Sequence, residues 1–178
     1  MFGGTWALPK WRNSPRAAAF STNGWQINTI ASLSTGTPFT VYDSADVSLQ
    51  GSASEMTAFY SSRPDLIANP NVGQPHTPNQ WVSRAPFLQL NPQTQAGQFG
   101  NEGRNVVRGP GIEDVDLSLF KLFSIGETRR VQFRAECFNL LNHPNFGLPE
   151  DDLESPAFGQ ILQAGPPRLI QLAVKFVF

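Results

Sequence analysis

Histidine, cysteine and carboxylate chemistry has little to work with in this sequence. His143 sits in Asn142-His143-Pro144-Asn145, and the only other histidine, His76, falls in a distant loop-like stretch. A metal site needs several ligands converging on one ion, so His143 reads as a polar residue at the start of a loop. Glu150, Asp151, Asp152 and Glu154 offer oxygens to a hard cation but lack the ligand spacing of a calcium-binding loop; a solvated loop is the simpler reading. Gly100 to Gly111 is glycine-rich and holds Arg104 and Arg108. A phosphate cradle needs a strand before it and a helix after it, whereas here a strand-like segment follows. There is no G-x-S-x-G elbow. The single cysteine, Cys137, excludes an internal disulfide and a multi-cysteine metal site. It shares an apolar face with Phe133 and Ala135, a setting for lipid contact rather than for a nucleophile. The expectation is a protein with no catalytic, metal or cofactor-binding residues, and therefore not an enzyme.

The elements that carry these residues are strands. Four segments alternate with period two, so their apolar residues share one side. In the last, from Arg168 to Phe178, the residues Ile170, Leu172, Val174, Phe176 and Phe178 share a face opposite Gln171, Ala173, Lys175 and Val177. In Arg129 to Leu141, Val131, Phe133, Ala135 and Cys137 oppose Arg130, Gln132, Arg134 and Glu136. In Glu113 to Ile125, Val115, Leu117 and Leu119 oppose Asp114, Asp116 and Ser118. Gly24 to Tyr42 alternates from Trp25 to Leu33, with Ile30 the exception, and Phe2 to Leu8 is a weaker fifth candidate.

Connections alternate in length. Gly126, Glu127 and Thr128 make a short turn, and Ala17 to Asn23 makes another. Asp43 to Ile112 and Asn142 to Pro167 are long, and rich in Pro, Asn, Gln, Ser and Gly. Composition agrees: 15% of the 178 residues are charged, below the roughly 25% of an average soluble domain, while Gly and Pro number 15 each. The 13 basic and 14 acidic residues form no basic stripe, so nucleic acid is excluded as an expected partner. No apolar run reaches the roughly 18 residues of a membrane-spanning helix, and Met1 to Arg16 does not read as a secretory signal.

Charged residues on one face and an apolar band on the other invert the pattern of a small soluble barrel, whose interior is apolar. Arg130, Gln132, Arg134 and Glu136 fit a wet lumen, and the apolar face fits lipid. In hydrocarbon every backbone polar group must be paired, so strands cross only as a closed barrel. If short turns and chain ends are periplasmic, Trp25, Phe123, Phe176 and Phe178 fall near one interface, as an aromatic girdle does. Phe39, Tyr42 and Phe138 then fall toward the other. Lys121 breaks the pattern, because it shares parity with Leu117 and Leu119. Either a bulge switches the parity or the lysine snorkels to the interface.

Four stretches carry a family likeness: GWQINTIASLSTGTPFTV (24–41), GQFGNEGRNVVRGPGIEDVDLSLFKLFSI (97–125), RRVQFRAECFNLLNHPNFGLP (129–149) and FGQILQAGPPRLIQLAVKFVF (158–178). RGPG, then D-x-S-L-F-K, then F-N-x-x-N-H-P-N-F-G resembles the C-terminal region of TonB-dependent receptors of the Oar-like group, which carry a carboxypeptidase-regulatory-like domain. The resemblance implies an all-β, antiparallel, partial transmembrane barrel in the outer membrane of a Gram-negative bacterium. Residues 1–178 would form the C-terminal part of one barrel domain, with about five of about 22 strands and long external loops at 43–112 and 142–167. The implied partners are outer-membrane lipid, the remaining barrel and its plug, the barrel-assembly machinery, which would read the strand ending at Phe178, and a transported ligand of unknown identity. Since bacterial barrels have an even number of strands from about 8 upward, the chain is expected to be a fragment whose plug and signal lie elsewhere. The competing expectation is a soluble β-sandwich binding module, for example for carbohydrate, with Tyr60 and Trp81 lining its site.

Overall fold

The computed structural model describes residues 1–9, 15, 22–49, 62–126 and 128–178. Every named element is a strand: β1 (Phe2–Ala7), β2 (Trp25–Ser34), β3 (Pro38–Phe39), β4 (Asp65–Leu66), β5 (Phe87–Leu88), β6 (Val107–Arg108), β7 (Ile112–Ile125), β8 (Arg129–Phe138) and β9 (Leu169–Val177). No helix among the described residues is long and apolar enough to cross a membrane. The chain divides into two compact units.

The first unit (1–34, 112–145, 166–178) is a five-stranded antiparallel sheet in the order β1-β2-β7-β8-β9. Among the described residues the sheet is open, with no strand beside the outer edges of β1 and β9. The β7–β8 hairpin turns at Gly126, whose φ of 71° lies in the left-handed region that glycine enters at low cost. Of the Ala17–Asn23 connection only Thr22 and Asn23 are described, and Glu127 of the hairpin turn also lies outside the described residues. The ends of β2 and β8 and the starts of β7 and β9 share one end of the sheet, and the two long connections leave and return there. The chain ends do not share a side, contrary to expectation. Phe2 pairs with Ala31 toward the long-connection end, while Val177 pairs with Arg130 toward the hairpin end.

The second unit (35–111 and 146–165) has its own core. Phe39, Val41, Val82, Phe87, Val107, Leu153 and Phe158 are buried together, and the rings of Phe87 and Phe158 meet edge to face at 5.9 Å. Burying side chains of this size contributes roughly 1.5–3 kcal/mol each, which helps a unit whose ladders among the described residues are the short β3–β6 and β4–β5 hold together. The expected strand from Gly24 to Tyr42 therefore stops at Ser34. Gly36 allows the change of course, since a Cβ there would stand 1.8 Å from the Gly109 carbonyl oxygen. Phe39 and Tyr42, expected at a membrane interface, belong to this unit instead: Phe39 is in its core and Tyr42 bridges to Asp152.

Candidate functional site

The residues expected to meet lipid and lumen lie on β2, β7, β8 and β9, and register decides whether they form surfaces. A slip of one residue between neighbours would move a strand's apolar set to the opposite face. No slip occurs. Trp6, Ile27, Leu119, Ala135 and Leu172 form one cross-strand row, and Gly4, Thr29, Leu117, Cys137 and Ile170 form another. Between them runs the polar row Thr5, Asn28, Ser118, Glu136 and Gln171. The alternation along each strand is thus converted into one continuous apolar face and one polar face.

On β9 the apolar face presents Ile170, Leu172, Val174 and Phe176, opposite Cys137, Ala135, Phe133 and Val131 of β8. These four residues of β9 are exposed, and Phe178 is 96% exposed. A contiguous apolar surface of this kind marks contact with lipid or a partner. Phe123, Val131 and Phe176 share a row, and Trp25, Lys121, Phe133 and Val174 share the row two residues nearer the long connections. Phe133 joins the aromatic band here, which its position in the middle of its own segment did not suggest.

Lys121 is reached without a bulge, because pairing runs unbroken from Leu117↔Cys137 to Ile125↔Arg129. Its side chain is almost wholly buried on the apolar face. The ammonium lies 4.9 Å from the Trp25 ring centroid and 5.1 Å from that of Phe123, and it donates a hydrogen bond to the Asn23 carbonyl. The aliphatic stem follows the apolar face while the charge reaches the hairpin-end connection, which is the geometry of snorkelling, with a cation–π contribution from two rings.

Arg130, Gln132, Arg134 and Glu136 occupy alternate positions of β8 on the polar face. Arg134 donates to Glu136 across 2.8 Å, and its guanidinium lies 4.9 Å from the centroid of its cross-strand neighbour Phe120. The Arg134 Nε is buried without a hydrogen-bond partner among the described residues, as is Asp114 Oδ1. Gln26 donates to Asn28 on the same face at 3.0 Å. On β2 Ile30 remains the apolar exception, paired with Asp116 and half exposed, and Phe120 and Leu122 of β7 lie on the same face. Phe138 lies toward the long-connection end, but its parity with Glu136 puts it on the polar face.

The Phe138–Gly147 motif is held by Asn139. This residue is buried, with φ of 49°. Its amide nitrogen donates to the carbonyls of His143 (2.9 Å) and Pro166 (3.2 Å), while its side-chain oxygen accepts from the His143 N–H (2.9 Å). Asparagine tolerates the left-handed conformation and supplies both donor and acceptor. His143 therefore serves the loop, with its ring nitrogen 3.3 Å from Asn145 Oδ1. Asn139→Asp keeps the acceptor and removes both donors, so it is expected to cost roughly 1–2 kcal/mol. Faster amide exchange at Phe138 and Leu169 would show it, with Gln132 and Lys175 unaffected.

In the second unit, Glu102 of the glycine-rich stretch was not singled out by its sequence context. Its side chain is 2% exposed. Oε1 accepts from the Val41 N–H at 3.2 Å, while Oε2 has no hydrogen-bond partner among the described residues. Its backbone is tied as well, with N–H to the Pro64 carbonyl (3.2 Å) and carbonyl to the Arg63 guanidinium (2.7 Å). Desolvation dominates and pushes the carboxyl up to about 7, against the opposing pull of the Val41 N–H and the Arg63 charge. Burial also raises Asp43, whose neighbours Glu154 and Asp152 add to the effect.

Asp152 caps the backbone of Ser44 and Glu154, so part of the acidic run is engaged in loop structure. Among the described residues no group of three or more His, Cys, Asp or Glu is placed to hold a metal ion. Arg108 lies in β6, with Trp81 Nε1 donating to its carbonyl at 2.9 Å. The Trp81 ring packs against His76 at 4.9 Å. Tyr60 lies outside the described residues.

An antiparallel sheet with one continuous apolar face, a polar opposite face, a short hairpin turn at one end and long connections at the other defines a membrane β-barrel wall. The family comparison assigns the class more closely: the chain belongs to the outer membrane beta barrel domain family, whose model matches residues 1–171. No curated protein and no solved structure matches it. Family membership gives the location, the outer membrane.

Proposed function

We propose that the chain supplies five strands to the wall of a larger outer-membrane barrel of the TonB-dependent receptor kind, in a Gram-negative bacterium. Its role is structural and transport-related, with no chemistry of its own. The observation that carries this reading is the register, which joins the alternation of five strands into one apolar face. The open edges of β1 and β9 support a larger barrel, because unpaired N–H and C=O groups are costly in hydrocarbon. The partners are then lipid on the apolar face, further strands and a plug, and the assembly machinery at the β9 end. The polar face, with Arg130, Gln132, Arg134 and Glu136, lines the lumen. The second unit, built from the two long connections, is the external loop region where an imported ligand is captured.

Cys137 provides the test, being the sole cysteine and lying on the apolar face. In lipid–detergent micelles it is expected to resist a membrane-impermeant maleimide, whereas a cysteine at Glu136 in a Cys137→Ser background reacts readily. Equal rates at the two positions would contradict lipid contact. The sandwich alternative would require the apolar face to be covered by a second sheet, yet Ile170, Leu172 and Phe176 are each 66% exposed.

A further inference from the structure

The hairpin end of the apolar face carries a feature that a uniform lipid-facing wall does not need. Within the five strands the side chains of that face include three charges, two of them cations of the hairpin half. Glu113 lies at the long-connection end, while Lys121 and Arg129 lie in the hairpin half. Lys121 is engaged by Asn23, Trp25 and Phe123. Arg129 is exposed and forms no ion pair with a described residue. It pairs with Ile125, and continuing the β8–β9 register past Arg130↔Val177 brings Phe178 beside it. Val131 and Phe176 form the adjoining row of the same face. Together with Arg130 and Val177, which belong by parity to the opposite face, these residues line a concavity of about 400 Å³ at the hairpin edge of the sheet, within the size range of small-ligand sites.

We propose that this concavity seats one anionic phospholipid of the leaflet on the hairpin side, its phosphate on Arg129 and its acyl chain over Val131 and Phe176. The proposal rests on the membrane reading above. Charge complementarity selects the occupant. An exposed guanidinium binds phosphate through paired N–H donors, and apolar side chains on both sides of it favour an amphiphile over a free ion. The location agrees, since in bacterial barrels short turns face the periplasm and this end therefore meets the inner leaflet. One cation near a lipid headgroup contributes about 1 kcal/mol, or about a fivefold preference for anionic over zwitterionic lipid.

The test is native mass spectrometry of the full chain released from detergent micelles containing equal amounts of phosphatidylglycerol and phosphatidylcholine. The wild type is expected to retain phosphatidylglycerol about fivefold over phosphatidylcholine. Arg129→Gln is expected to retain the two equally, and Arg129→Lys to keep part of the preference. Soluble glycerophosphoglycerol, which offers the headgroup without the chains, is expected not to compete. Equal retention of both lipids by the wild type, or full displacement by the soluble headgroup, overturns the lipid seat. If Cys137 is meanwhile shielded from maleimide, the membrane reading survives that failure. If Cys137 reacts freely in the same micelles, both fall.

Discussion

Leu117→Arg is expected to destabilise the chain in a bilayer by roughly 2–4 kcal/mol, the cost of a cation near the middle of the lipid face of a barrel strand. Leu117 lies on β7 in the row of Cys137 and Ile170, six residues from Phe123 in the hairpin-side aromatic band. At a strand rise of about 3.3 Å per residue it stands well inside the apolar span. Unlike Lys121, an arginine here has neither a nearby connection nor an aromatic pair to reach, so its charge stays among aliphatic side chains. The control is the next residue. Ser118→Arg puts the same charge on the polar face, directly opposite Glu136, and is expected to change stability by less than about 1 kcal/mol. Denaturant titration of the two variants in phospholipid vesicles measures the difference. Equal destabilisation, or loss confined to Ser118→Arg, would show that the faces are assigned the wrong way round.

The second large effect is expected at Glu102, in the core-bearing second unit. Its folded-state carboxyl is raised from 4.5 to about 7 because the buried site disfavours the charge. The unfolded chain therefore releases this proton at lower pH than the folded one. Below about pH 4.5 both states are protonated and the stability linked to Glu102 is fully present; it is lost as pH rises through the window up to about 7. The span corresponds to roughly 3 kcal/mol. Glu102→Gln keeps an acceptor for the Val41 N–H and cannot ionise, so it is expected to be more stable than wild type at pH 8 by that amount and to lose most of the slope. A smaller slope of the same sign remains from Asp43, which burial also raises. Amide exchange at Val41, followed from pH 4 to pH 8, reads the effect. A wild type whose protection strengthens across that range would contradict the buried-carboxyl account.

The sheet was legible in the sequence where alternation was unshielded and long. β7, β8 and β9 lie within the segments read from Glu113–Ile125, Arg129–Leu141 and Arg168–Phe178 to within a residue or a few at their ends, and the weak Phe2–Leu8 segment became β1. Period two is a local property, so it survives without knowledge of neighbours. Register is not local. That the five apolar sets fall on one face could be expected from chemistry but is determined by pairing. The environment of Lys121 was open for the same reason: Trp25 is its cross-strand neighbour, and Asn23 is far from it in sequence.

The second unit was the least legible part. Its core joins Phe39 and Val41 to Val82, Phe87 and Val107, and then to Leu153 and Phe158 beyond β8. Its ladders are two residues long, too short for any periodicity to register. Pro, Gly and Asn suit the turns between such contacts, so the stretch read as an extended loop. Glu102 gave no local signal either, since a carboxylate between Asn101 and Gly103 looks solvated until Val41, Arg63 and Pro64 close around it.

The central claim is that the apolar face meets lipid, and a spin-label scan along β9 in phospholipid bilayers tests it most directly. Single cysteines from Leu169 to Val177 in a Cys137→Ser background would each carry the label, and collision with oxygen would be compared with collision with a water-soluble nickel chelate. The account predicts oxygen contact at Ile170, Leu172, Val174 and Phe176, and nickel contact at Gln171, Ala173 and Lys175, alternating without a break. Nickel contact at all positions, or the opposite phase, would contradict it.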